Sequence, residues 1–348
     1  METEADSAQE TPPSTSRSGR LFLVMIGVLV GGFFLYLTAR NVDLQEAMAI
    51  MVAIDKLWVL PLMMVIVLTQ SLRCCRWYLM FPEESRPRFR YAIDALMMGK
   101  MGNNFMPGRL GDVLRASIIA PQVPNAGVSG ALATVVLEKV LDSLLILIFM
   151  GFTLLLIPLP EWMVKSGSIA IVLFLGLLIS LWFFNRSGLG QRSEQATQQV
   201  NFRGAGLLRL AGRLLQKFSV GLYALQEARH FILLSVFTLL IWSLEIVMFY
   251  LLFQAFGITA SLLAAMVCLV FLCVGLMLPA APGFIGTYQL FIVAALQLFD
   301  VPDTTAFALA VFFNLFTIVM TTVIGVVVVC IPGGLFNFSA LRHSLMKG

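Results

Sequence analysis

Six apolar runs dominate the sequence, at 21–37, 57–80, 128–157, 162–184, 231–256 and 305–331. Each is long enough to cross roughly 30 Å of hydrocarbon as an α-helix. Composition agrees: 59% of the 348 residues are hydrophobic and only 12% are charged. An ordinary soluble domain carries about 25% charged residues and needs them to cover its surface. The mean hydropathy of +0.92 points the same way. These features exclude a water-soluble enzyme, and no polar stretch within the sequence is long enough to fold as a cytosolic catalytic domain. With 23 basic and 19 acidic residues the net charge is +4, so nucleic acid is not an expected partner.

Between the runs the chain changes character. Residues 1–19 are rich in Ser, Thr, Pro and Glu and read as a disordered cytoplasmic tail. Arg17 and Arg20 precede the first run, which resembles a signal peptide. It is long for one, and Leu37-Thr38-Ala39 is a poor cleavage site, so an uncleaved first helix is expected. Segment 44–54 is amphipathic and interfacial in pattern, and 207–229 reads as a basic amphipathic helix on the membrane surface. Residues 20–335 form the membrane domain, with half-repeats at 57–157 and 231–331, a basic linker at 185–230 and a cytoplasmic tail at 336–348.

Two further apolar stretches, 90–120 and 262–299, are broken in the middle. The breaks contain Pro107-Gly108-Arg109-Leu110-Gly111 and Pro282-Gly283-Phe284-Ile285-Gly286. Proline removes a helical hydrogen bond and glycine permits a turn, so each stretch should be two helical arms joined by an irregular tip. Open backbone at membrane depth is tolerated only where protein or a watered cavity satisfies it. Both stretches therefore read as re-entrant hairpins. The tips lie 175 residues apart (282 minus 107), and the same offset carries Gln70 to Glu245 and Lys139 to Asn314. A constant offset through span, hairpin and span indicates internal duplication.

Basic residues set the orientation. Arg73, Arg76, Arg86, Arg88 and Arg90 follow the second run, and seven bases lie between 185 and 230. The turn at 300–304 carries Asp300 and Asp303 and no base. A cytoplasmic N-terminus puts every basic segment on one side and makes the two halves inverted, with both tips near the midplane. That is the layout of secondary transporters.

Ionisable groups within the bilayer cost roughly 2.5–3.5 kcal/mol each on insertion scales, so each needs a reason. Glu138 and Asp142 are four apart on one face of the third run, with Lys139 beside them, and Glu245 sits in the fifth. Lys100, Asn103 and Asn104 precede the first tip; Arg109, Asp112 and Arg115 follow it. Two readings compete. The charges neutralise one another and lock the hairpin, or they line a polar cavity for a charged head group. Arginine suits phosphate because its planar fork binds two oxygens. Arg73 and Arg76, beside Trp77 and Tyr78, read either as interfacial anchors or as phosphate contacts at a cavity mouth. Gln289 is placed to cap the second broken backbone. The five cysteines (Cys74, Cys75, Cys268, Cys273, Cys330) and two histidines give no zinc spacing and no disulfide framework. No nucleotide loop, nucleophile–base pair or cofactor motif appears.

At these residues the chain resembles the lysylphosphatidylglycerol synthase transmembrane-region family. The resemblance rests on Arg73-x-x-Arg76-Trp77, Asn103-Asn104-Phe105-Met106-Pro107-Gly108-Arg109-Leu110-Gly111-Asp112-x-x-Arg115, Glu138-Lys139-x-x-Asp142 and Pro282-Gly283-x-x-Gly286-Thr287. It implies a prokaryotic cytoplasmic-membrane protein similar to the flippase half of aminoacyl-phospholipid synthases, some relatives serving polyprenyl- or dolichyl-linked sugar pathways. Three positions depart from the family pattern: Asp112 and Gln289 stand where glutamate is usual, and Lys139 where arginine is usual. The aminoacyl-transferase domain is absent from this sequence.

The expectation is thus an all-α integral membrane protein with about six transmembrane helices and two re-entrant hairpins in inverted-topology repeats. It would translocate a phospholipid or polyprenyl-phosphate lipid without cofactor or metal. The expected substrate-binding set is Arg73, Arg76, Asn103, Asn104, Arg109, Asp112, Arg115, Glu138, Lys139, Asp142, Glu245 and Gln289. Anionic membrane lipids are the expected partners, with a second copy of the chain or a lipid-modifying enzyme as candidate protein partners. The rival classes are a membrane glycosyltransferase or accessory subunit acting on lipid-linked sugars, and a non-transporting scaffold.

Overall fold

The computed structural model describes residues 17–106, 109–123, 127–157, 228–278 and 281–335, with Glu161, Val164, Lys165 and Gly176 as isolated positions. The described residues form ten α-helices and no strands. They are α1 (Arg17–Ala39), α2 (Leu44–Val52), α3 (Val59–Leu79), α4 (Phe89–Phe105), α5 (Leu110–Ile119), α6 (Gly127–Leu156), α7 (Ala228–Ala255), α8 (Leu262–Gly275), α9 (Thr287–Leu296) and α10 (Asp303–Cys330). The expected span at 162–184, the surface helix at 207–229 and both terminal tails fall almost wholly outside the described residues. Only residues 17–19 of the expected N-terminal tail are described, and they already belong to α1.

Local chemistry fixes the helix starts. Asp43 accepts hydrogen bonds from the Gln45 and Glu46 amides at the head of α2, and the Ser261 side chain accepts from the Ala264 amide at the head of α8. These caps satisfy amides that have no partner in the first turn.

Among the described residues five segments are long and apolar enough to cross a membrane: Lys56–Leu79, Gly127–Leu156, Arg229–Ala255, Pro282–Phe299 and Asp303–Cys330. The fourth is not one continuous helix. Gly283, Phe284 and Gly286 have left-handed φ of 69°, 57° and 89°, and only the ten residues of α9 are α-helical. Ten residues rise about 15 Å, half of what a crossing needs. α5 is equally short. The long helices are apolar outside as well as inside. On α10, Val319, Val323, Val326 and Val327 are about half exposed, while Ala306, Ala310, Phe313 and Gly325 are buried on the other side. An exposed stripe of that kind suits contact with lipid.

Packing repeats with the offset seen in the sequence. α4 lies against α5, and α8 against α9. α5 and α9 contact the long helices that follow them, α6 and α10. Each first arm also reaches across to the other half, α4 to α10 and α8 to α6. Gly127, the first residue of α6, maps by the same 175-residue step to position 302, one before α10 begins at Asp303.

Close approach makes glycine necessary at both hairpins. A Cβ at Gly111 would stand 2.0 Å from the Gly99 carbonyl oxygen and 2.5 Å from the Asn103 amide. At Gly286 a Cβ would stand 2.0 Å from the Gly31 carbonyl oxygen, so α1 buttresses the second tip. The second tip also touches α4. Of the first tip, Pro107 and Gly108 lie outside the described residues. Arg109 beside them adopts left-handed backbone, φ 57°.

Candidate functional site: a cavity with one charged and one apolar wall

Apart from Asp94, which pairs with Arg90 on α4, the buried charges among the described residues belong to one connected network over four helices. Arg76 on α3 is fully buried and donates through Nη1 to Asp142 Oδ1 at 2.6 Å and to Thr238 Oγ1 at 2.9 Å. Trp242 Nε1 on α7 donates to the same Asp142 oxygen at 2.9 Å. Glu138 Oε1 stands 3.7 Å from Arg76 Nη2, and Glu138 Oε2 accepts from Arg115 Nη1 at 3.0 Å. Arg115, 1% exposed, also faces Asp112 Oδ1 at 3.2 Å and lies 5.0 Å from the Trp77 ring centre. Asp112 Oδ2 in turn pairs with Lys139 Nζ at 3.2 Å. Arg73 Nη2 donates to Glu245 Oε1 at 2.9 Å, with its guanidinium 5.7 Å from the Trp242 ring centre. Buried charges are tolerated when paired and hydrogen-bonded, and here the pairs span α3, α5, α6 and α7.

The interfacial-anchor reading of Arg73 and Arg76 does not hold. Both point inward, because carboxylates on α6 and α7 face the same turn of α3 and offer better partners than the membrane surface.

A cavity of about 580 Å³ opens beside this network. Of the expected site residues it is lined by Arg73, Asn103, Asn104, Arg109, Lys139, Asp142 and Glu245. Arg76, Asp112, Arg115, Glu138 and Gln289 do not line it. The first four hold lining residues in place through the ion pairs described. Gln289 accepts a hydrogen bond from the Gly286 amide at 2.7 Å, the capping role expected of it. Asn103 Nδ2 reaches Asp112 Oδ1 at 3.4 Å, and Asn104 Nδ2 donates to Thr321 Oγ1 at 2.9 Å on α10.

The two walls differ in chemistry, and the repeat offset shows how. Arg73, Lys100, Arg109, Lys139 and Asp142 correspond to Met248, Gly275, Phe284, Asn314 and Thr317 in the second half. The first half supplies every cation of the lining; the second supplies Met248, Leu272, Met277 and Phe284 together with the uncharged polar Asn314, Thr317 and Thr321. Glu245, opposite Gln70, is the exception. At the tips the two halves meet through equivalent residues. The Arg109 guanidinium lies 5.5 Å from the ring centre of Phe284, and its Nη2 donates to the Leu276 carbonyl at 3.3 Å.

Lys100, weighed among the membrane charges but not placed in the expected binding set, lines the cavity too, and sequence reasoning left out Gln70, Ser143, Trp242, Tyr288 and Thr317 as lining residues. Their signal was helical spacing from charges, as with Lys100 one turn before Asn103 and Asn104. Trp242 and Tyr288 carried no such signal, since aromatics in apolar helices usually pack. Among the described residues no group of three or more His, Cys, Asp or Glu is placed to hold a metal.

An all-helical bundle with an outer apolar surface and an internal charged cavity defines a multi-pass membrane protein. It belongs to the family described as the lysylphosphatidylglycerol synthase TM region, whose family model matches residues 24–325. No curated protein matches the chain. No solved structure matches it either.

Proposed function

We propose that this protein translocates a phospholipid or polyprenyl-phosphate lipid between the leaflets of a prokaryotic cytoplasmic membrane. The observation that carries the reading is the uneven cavity lining: its cations all come from the first half, and most of its large apolar side chains, with Asn314, Thr317 and Thr321, come from the second. A lipid has that same division. The head group would meet Arg109, Lys139, Asn103 and Asn104, and its first chain carbons would lie against Met248, Leu272 and Phe284. Arg76, Arg115, Glu138 and Asp112 are positioning residues, acting through the groups they pair with.

In this reading α4–α5 and α8–α9 are re-entrant hairpins related by inverted topology. Their second arms, α5 and α9, are too short to cross singly, and their tips meet beside the cavity. Rocking of one half against the other would expose the cavity to each leaflet in turn. Family membership supports a role in lipid biosynthesis or movement.

The test is reconstitution into liposomes holding a fluorescent analogue of phosphatidylglycerol, with dithionite added outside. Translocation predicts bleaching of the inner-leaflet label beyond the outer half. Vesicles that stop at the half bleached without protein would end the proposal for that lipid class, and a fluorescent polyprenyl phosphate tests the other.

A further inference from the structure

The ion pairs around the cavity do not balance. Six cations (Arg73, Arg76, Lys100, Arg109, Arg115, Lys139) face four carboxylates (Asp112, Glu138, Asp142, Glu245). Every carboxylate is engaged by at least one cation within 3.2 Å. Lys100 and Arg109 are left over. Among the described residues Lys100 has neither an ion pair nor a hydrogen bond, and Arg109 has one carbonyl and one aromatic ring. Both line the cavity. In other lining residues Gln70 Oε1, Asn103 Oδ1 and Thr317 Oγ1 are buried without a hydrogen-bond partner among the described residues.

We infer that the cavity is built for a dianionic phosphate group, a phosphomonoester or diphosphate, with Lys100 and Arg109 supplying the two uncompensated charges. The inference rests on the cavity being a ligand site and narrows what that ligand is. An uncompensated charge within the membrane is costly; a lysine there can shed its proton and an arginine cannot, so an anion that reaches both is what would keep Lys100 and Arg109 charged together. A phosphomonoester carries about −1.5 to −2 at pH 7, whereas a phosphodiester carries one negative charge. A zwitterionic head group would leave both cations unrelieved, and an aminoacylated one would add a third.

Geometry favours the same class. Arg109 keeps a guanidinium fork of which only one nitrogen meets a carbonyl, and a phosphate with three free oxygens can fill the rest. Lys100 is a compact charge with three donors.

The proposal is tested by equilibrium binding to the full-length protein in neutral detergent. The probes are dodecyl phosphate, its methyl diester, dodecyl phosphocholine and inorganic phosphate. The expected order is dodecyl phosphate tighter than the methyl diester by about tenfold or more, with dodecyl phosphocholine weaker again. A tenfold step corresponds to about 1.4 kcal/mol. Lys100→Gln and Arg109→Gln should each abolish most of the preference, and Lys100→Arg should retain it, which separates lost charge from lost fold. Equal affinity of the parent protein for monoester and diester overturns the inference without need of any variant. Inorganic phosphate binding as tightly as dodecyl phosphate overturns the lipid source in favour of a soluble one. Leaflet exchange is measured in parallel: exchange without monoester preference defeats this inference alone, and preference without exchange supports it while defeating the transport reading.

Discussion

Arg109 and Arg115 are six residues apart, yet they do different work. Arg115 is enclosed by Glu138, Asp112 and the Trp77 ring, and it does not reach the cavity. Arg109 lines the cavity with no carboxylate beside it. Arg109→Lys keeps the charge and loses the fork. The expected outcome is a protein that melts at the parental temperature and loses most of its lipid binding and flipping; unchanged binding would return Arg109 to a structural role. At Arg76 the expectation reverses. Removing one partner of a buried pair leaves an uncompensated charge at a typical cost of about 3–5 kcal/mol. Arg76→Met should therefore lower the melting temperature sharply, and Arg76→Met with Asp142→Leu should recover much of the loss. A double variant no better than the single would show that Asp142 is held chiefly by Trp242. That Glu138 and Asp142 share one helix face and need basic partners was legible from their spacing. Which cation each carboxylate takes was not. Pair choice depends on how α3 and α7 rotate against α6, and apolar periodicity in an all-round apolar helix does not fix rotation.

At the scale of elements, the hairpins were legible because proline and glycine interrupt otherwise apolar stretches. The helix borders then followed within a few residues: expected stretches at 128–157 and 305–331 became Gly127–Leu156 and Asp303–Cys330. What the sequence did not carry was the role of α1. Its glycines looked like ordinary membrane-helix residues, yet Gly31 is the surface on which the second tip rests. Gly31→Ala would place a methyl 2.7 Å from Ala281 Cβ and from the Ile285 carbonyl oxygen, whereas Gly32→Ala meets nothing within 4 Å. The expected result is a lower melting temperature and slower lipid exchange for Gly31→Ala, with Gly32→Ala like the parent. Equal behaviour of the two would mean that α1 does not press on the tip. Gly283 sits at φ 69° with its carbonyl held by Asn314 Nδ2 at 2.9 Å. Gly283→Leu forces a bulky residue into left-handed backbone and toward Ile318, so exchange should fall more than expression does.

Over the whole molecule, the proposed inverted repeat would put one duplication to two uses. The halves keep the same element order and the same cross-packing, while the side chains at equivalent positions have diverged into a charged wall and an apolar one. Divergence of that kind needs both halves to face one cavity, which two equivalent hairpins achieve when they enter from opposite sides. On the proposed topology the direction follows from the arginine distribution, because basic segments tend to stay on the cytoplasmic side. In the inverted arrangement the turn at 300–304, with Asp300 and Asp303 and no base, lies outside, and the basic linker at 185–230 lies inside. Single cysteines in a background lacking the five native ones test this in intact cells with a membrane-impermeant maleimide. Labelling is expected at positions 301–304 and absent at 190–205 until the membrane is opened. The reverse pattern would turn the whole assignment over and leave the charged wall serving the opposite leaflet. Labelling of both segments from one side would remove the inversion itself. The two hairpins would then enter from the same face, and a cavity shared between them could no longer be offered to each leaflet in turn.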